Sequence, residues 1–425
     1  MAYRHPGTVI YDSIPQVDGD ASSDDMAASA GVERYLILYQ QNVGHSSTAG
    51  NDINTAVVAD LVDTAVEAAL GDFEGITHAC LDFENPFYAS LNNLRNDPLN
   101  PDGLEAQQSL IELVTECKSR HPNLKWGYYG FPNQRSNFIG NQTVGTLATN
   151  PDTDYTAAGM TMTGAEWIQS RIEERYAADG PIIAACDYMS PTGYDRYPPI
   201  AYPGSTTLGN ASNAGLSDAQ LQALTYDVAS SNPSYVSADN QYHLRYSLLM
   251  GMCRYYREQL GRPFMPAYPF VTMHYEKLYT PPSQTVRWMP RRVPIDDFLT
   301  NQVRPYLDGG AQSVMWWTAY EYRIDQSFDT VNYPLETTEQ FEKFRDQYRE
   351  AYVLDYPEVF ELTNPTNIAW KSVDWTDNTI RDNLKRAVRD SQLQYFKSVA
   401  GLVRTYGAAR ASTLAALGGA TPSTP

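Results

Sequence analysis

A chain of 425 residues, 42% of them hydrophobic, is long enough for one large barrel with extensions or for two or three ordinary domains. Fifty acidic residues against 31 basic ones leave a formal net charge of −19, which repels phosphate backbones and anionic membrane surfaces, so neither nucleic acid nor membrane is an expected partner. No stretch approaches the roughly 18 uninterrupted apolar residues of a membrane span, and the opening MAYRHPGTVIYDSIP lacks the basic region and apolar run of a signal peptide. The corresponding expectation is a protein made in a cytoplasm, with release or incorporation into a virion as later fates.

In chain order, residues 1–32 read as an N-terminal extension ahead of the first strand. Short apolar runs rich in β-branched and aromatic residues then predict strands at Glu33–Gln41, Thr77–Glu84, Lys125–Pro132, Ile182–Met189, Phe264–Val271 and Gln312–Ala319. Helical periodicity falls between them, at Ala56–Leu70, Gly103–Ser119, Ala165–Ala178, Gln241–Leu260 and Asp296–Leu307. This alternation is that of βα units, common to barrels and doubly wound sheets. The absence of a Gly-rich phosphate loop after an early strand favours the barrel, as do polar and aromatic residues at the carboxyl ends of several strands.

The expectation is therefore an α/β protein with a TIM-like (β/α) barrel over residues 33–345 and long substrate loops at 190–216 and 274–292. A C-terminal helical extension at 346–417 and a flexible tail at 418–425 follow. Ile380, Leu384, Val388, Leu393, Phe396, Val399 and Val403 give the C-terminal stretch an apolar stripe that would dock on the barrel or on another subunit. Cys80, Cys117, Cys186 and Cys253 show no zinc spacing and read as small, reduced core residues.

The segment richest in chemistry is Asp82-Phe83-Glu84. Side chains two apart on a strand share a face, and two carboxyls so placed do not both ionise cheaply; one becomes a proton donor, as cleavage of a glycosidic bond requires. Two solvated carboxylates at a strand end are the plain alternative, and a magnesium or calcium site a further one, disfavoured because no second Asp-x-Asp or calcium loop follows. Other strand ends carry aromatic groups suited to sugar rings: Trp126 to Pro132, Asp187-Tyr188-Met189, Ala267-Tyr268-Pro269 and Trp316-Trp317 through Glu321.

Four of these segments, spread over residues 75–325, resemble the hyaluronidases of animals and venoms. Asp82-Phe83-Glu84 is similar to that family's Asp-x-Glu, and Trp126–Pro132 to its Trp-Gly-aromatic-Tyr-Gly-Phe-Pro strand; residues 310–321 are similar to its last strand. The resemblance implies that Glu84 is the general acid and that Asp82 orients the substrate's acetamido group, which acts as internal nucleophile. It further implies that Tyr188 and Tyr268 bind the acetamide or flanking hydroxyls, that Trp317 forms the floor of the sugar site, that the partner is an N-acetylhexosamine-containing polysaccharide, and that no metal or cofactor takes part. Tyr129, Asp187 and Glu321 are further expected substrate contacts, and Asp187 and Glu321 are the alternative second carboxylates for a conventional retaining or inverting mechanism. The chain departs from the pattern in Asn85-Pro86 after the glutamate and Asn133-Gln134 after the Phe-Pro, and it lacks the family's disulfides. An inert glycan-binding or structural barrel, for example a phage-tail component, is the alternative function.

Overall fold

The computed structural model describes residues 9–10, 30–46, 48–72, 75–132, 154–157, 160–193, 238–275, 291–317, 356, 359, 373–374 and 377–416. These form a mixed α/β structure around one parallel sheet. Its strands are β1 (Val9–Ile10), β2 (Glu33–Tyr39), β3 (Ile76–Asp82), β4 (Lys125–Tyr128), β7 (Phe270–Val271) and β10 (Met315–Trp316), in the order β4-β3-β2-β1-β10-β7. Two antiparallel pairs lie apart from it, β5 (Asp154–Ala157) with β6 (Met160–Thr163) and β8 (His274–Tyr275) with β9 (Arg291–Arg292).

Strands β4 and β7 are the two edges of the sheet, and each is hydrogen-bonded to the same segment, 187–193. On one side Asp187 N donates to Trp126 O (2.8 Å) and Gly130 N to Ser190 O (2.9 Å); on the other, Tyr268 N donates to Met189 O (2.8 Å) and Phe270 N to Pro191 O (2.9 Å). The segment makes isolated bridges, not a ladder, so the strands proper form an open row of six.

Helices α1 (Thr55–Asp72), α2 (Phe87–Asn96), α3 (Pro101–Arg120), α4 (Gly164–Ala185) and α5 (Ala238–Gln259) follow or separate the strands. A run over 295–308, α6, is helical at Ile295–Asp297 and Arg304–Asp308 with π-helical turns at Phe298–Val303 between them. Helix α3 shows why these stretches are helical. Asn100 caps it by accepting from Gly103 N (3.0 Å), Pro101 opens it, Asp102 sits in its first turn and Lys118 and Arg120 in its last, while Ala106, Leu110, Leu113, Val114 and Cys117 form the buried stripe. Arg120 pairs with Asp60 (2.8 Å) and Asp63 (2.7 Å) and so ties α3 to α1.

Three expectations need correction. Residues 9–10 are not an addition ahead of the first strand, because Val9–Ile10 pairs with both β2 and β10 in the middle of the sheet. The apolar run Ile182–Met189 is helix as far as Ala185, the end of α4; pairing starts only beyond it. A helix not read from the sequence, α2, begins three residues after Glu84 and buries Phe87, Tyr88, Leu91 and Leu94.

At the C-terminus, α7 (Asn378–Ala416) docks on the core. Phe396 lies edge-on to Trp316 at 4.7 Å between ring centroids, and Tyr395 meets Phe298 at 5.2 Å. All four cysteines are free and buried. No helix among the described residues is long and apolar enough to cross a membrane.

Candidate functional site

Alternation along β3 sorts its side chains onto two faces. Ala79 and Leu81, with Phe83 just beyond, belong to the large cluster under the helices; Phe83 is fully buried against the rings of Phe87 (5.8 Å), His45 (6.0 Å) and Tyr128 (6.2 Å). Cys80 belongs to a second cluster on the opposite face, with Tyr35, Ile37, Tyr129, Tyr188, Tyr268, Phe270 and Met315. Asp82 stands on the face of Cys80: burial, with the Asp82 carboxylate adding to it, pushes the Cys80 thiol well above its ordinary range. Asp82 Oδ1 is sealed from solvent, and the Asp82 and Glu84 side chains are both half-buried.

Strands β2, β3, β4 and β10 run parallel, so the residues at their carboxyl ends share one rim. Tyr39, the last residue of β2, pairs with Asp82. Trp317, just past β10, is half-buried; its backbone N–H donates to Val271 O (2.9 Å) and its indole Nε1 to the Tyr39 hydroxyl (3.3 Å). Tyr129, just past β4, donates its N–H to Leu81 O (2.9 Å) and packs edge-on to Phe270 at 4.9 Å. The rim thus gathers Asp82, Glu84, Tyr129 and Trp317 with Tyr39, a residue the sequence did not single out.

The backbone at Glu84 is held from two sides. Gln40 Oε1 accepts from Glu84 N (2.8 Å) and Gln40 Nε2 donates to Asn85 O (2.7 Å), while Glu84 O accepts from Tyr88 N (2.8 Å) in the first turn of α2. Tyr88 in turn donates its hydroxyl to Tyr129 O (2.7 Å), joining this turn to the end of β4.

Three residues expected in the sugar site lie away from this rim. Asp187 forms an ion pair with Lys118 (2.9 Å) and accepts from Trp126 N (2.9 Å) near the start of β4, the end of the sheet opposite the rim. Tyr188 is 1% exposed and donates its hydroxyl to Ala79 O (2.8 Å), three residues before Asp82 and so roughly 10 Å below it along the strand. Tyr268 packs with it, its ring 5.4 Å from Tyr188 and 5.3 Å from His78. Gly127 makes room for this plug, since a Cβ there would stand 2.6 Å from the Tyr188 ring. Burial, helped by the charge of Lys125 and opposed by Asp187, holds the His78 imidazole down at about 4, so it is neutral at pH 7. Glu321 and most of the loops at 190–216 and 274–292 lie outside the described residues.

Among the described residues no group of three or more His, Cys, Asp and Glu side chains could hold a metal ion. The rim offers carboxylates, tyrosine hydroxyls and an indole, the means for proton transfer and for stacking on a sugar ring.

No family model matches the chain, and no curated protein is similar to it in sequence. Two crystal structures of bee venom hyaluronidase align with it. The monoclinic form is 12% identical over 77% of this chain and 97% of that one, with a TM-score of 0.39. The complex with a hyaluronic acid tetramer is 13% identical over 76% and 96% of the two chains, also at 0.39. At that score the two backbones follow each other only loosely, and the resemblance is a distant one.

Proposed function

We propose that the parallel sheet and segment 187–193 form one closed, irregular barrel, and that its rim hydrolyses an N-acetylhexosamine-containing polysaccharide. Support for closure is twofold. Both sheet edges bond to the same segment, and the inner cluster of Tyr35, Ile37, Cys80, Phe270 and Met315 contains no helical residue, as expected of an interior enclosed by strands.

The observation that carries the chemistry is the meeting of Asp82 and Glu84 with Tyr39, Tyr129 and Trp317 at one end of parallel strands. In the proposed reaction, Glu84 protonates the glycosidic oxygen as the bond to the anomeric carbon breaks. Asp82 orients the acetamido group, whose oxygen attacks that carbon and forms a cyclic intermediate. Water then opens the intermediate, giving its proton to Glu84 and retaining the configuration. Trp317 supplies an apolar floor for the ring.

The test is a screen of hyaluronan, chondroitin, chitin fragments and bacterial surface glycans with wild type and Glu84→Gln side by side. The variant keeps the shape and loses the proton, so turnover falls on the order of a hundredfold or more while binding persists. Equal cleavage by both proteins would exclude Glu84 as the acid. A barrel that binds glycan without cutting it is the second reading, favoured by the burial of Tyr188 and Tyr268 below the rim. Wild type that binds a glycan but cleaves none establishes it.

A further inference from the structure

Gln40 brings neither charge nor acid to the rim, yet it is only 3% exposed and both ends of its amide act on the backbone that carries Glu84. It directly follows Tyr39, the residue paired with Asp82, so the register of β2 on β3 sets its place. Glu84 lies two residues beyond the last residue of β3, where no ladder holds the chain. Instead, Gln40 Oε1 accepts from Glu84 N (2.8 Å), Gln40 Nε2 donates to Asn85 O (2.7 Å), and Glu84 O accepts from Tyr88 N (2.8 Å). Two of these three bonds come from one rigid, planar amide.

We infer that Gln40 is a positioning residue for Glu84, fixing its backbone so that the carboxyl meets the glycosidic oxygen at proton-transfer distance. The inference rests on the hydrolase reading above. A displacement of about 1 Å in an acid costs on the order of a hundredfold, because proton transfer needs hydrogen-bond contact in the transition state. In the bond-breaking step, which kcat/KM reports, the effect is confined to leaving groups that need the proton. A glutamine that only satisfies buried backbone groups would, when removed, slow every substrate alike.

The experiment compares wild type, Glu84→Gln, Gln40→Leu and Gln40→Glu on two substrates. One is the polysaccharide that wild type cleaves; the other is the nitrophenyl glycoside of its repeating oligosaccharide, whose leaving group departs without protonation. Gln40→Leu is expected to lose roughly ten- to a hundredfold in kcat/KM on the polysaccharide with KM changed less than about twofold, and less than about threefold in kcat/KM on the nitrophenyl substrate, because kcat/KM reports bond cleavage, before Glu84 acts as base. Gln40→Glu keeps the acceptor for Glu84 N but, once ionised, has no proton to donate to Asn85 O, so kcat/KM on the polysaccharide falls as rising pH ionises that carboxyl while kcat/KM on the nitrophenyl substrate does not. Should Gln40→Leu fail to fold, Gln40→Glu carries the same two-substrate comparison. Equal losses on both substrates, or wild-type rates in the Gln40 variants while Glu84→Gln is inactive, overturn the role of Gln40 and leave the hydrolase reading standing. Wild type that cleaves neither substrate overturns the hydrolase reading, and this inference with it.

Discussion

His78 sits at the bottom of the same column of side chains that ends in Asp82, and its environment makes it a titrating element of stability. Its ring is 6% exposed, edge-on to Tyr188 (5.5 Å) and Tyr268 (5.3 Å), with Nδ1 at 2.8 Å from Thr77 Oγ1. Burial holds its pKa at about 4 against an ordinary 6.5, so between those values the unfolded chain binds a proton that the folded one excludes. The stability from its neutral form is complete above pH 6.5 and is lost as the pH falls toward 4, a contribution of about 3 kcal/mol. His78→Phe keeps the aromatic contacts without the titration; its Tm should therefore fall less than that of wild type between pH 6.5 and 4.5. Parallel Tm–pH curves for the two proteins would show that His78 carries no such linkage. At this scale the sequence is legible where type and period suffice, as with Phe83 packing away from Asp82. It is not legible where a side chain's partner lies far along the chain. Asp187 looks like a rim carboxylate until Lys118 and Trp126 N are found around it, and Gln40 has no visible role before β2 is registered on β3.

Helix α7 is the clearest case of an element whose role followed from its period. Its apolar positions at 384, 388, 396, 399 and 403 are buried, Phe396 completely so, while Ile380 and Leu393 are half-buried. Truncating such a side chain removes its transfer free energy and leaves a cavity against Trp316 and its neighbours, so Phe396→Ala should destabilise the protein by about 3–5 kcal/mol. Lys397→Ala, one residue on and exposed, should change stability by less than about 0.5 kcal/mol. Urea midpoints for the two variants check this, and equal shifts would mean that the helix is not docked through that face. Other elements leave no such trace in the sequence. A two-residue strand such as Val9–Ile10 has no period to detect. An apolar run such as Ile182–Ala185 reads equally as buried strand or as the end of a helix, and here α4 claims it. The start of α2 was hidden because its first residues, Phe87 and Tyr88, continue the aromatic character of the strand end before it.

For the molecule as a whole, charge bears on which glycan could reach the rim under the proposed function. The net charge of −19 acts at long range, over about 30 Å at roughly 10 mM salt but only about 8 Å near physiological ionic strength. A polyanion such as hyaluronan approaches against this field, whereas a neutral N-acetylglucosamine polymer does not. Raising salt from about 10 to 150 mM should therefore increase the association rate of an anionic glycan several-fold and leave that of a neutral one nearly unchanged, with dissociation rates little affected. Stopped-flow binding to the Glu84→Gln variant, which on the proposed reading holds glycan without cutting it, separates the two. A fall in anionic binding as salt rises would mean that the rim carries a local positive potential strong enough to reverse the field of the whole chain, and hyaluronan would then become the favoured substrate over a neutral polymer.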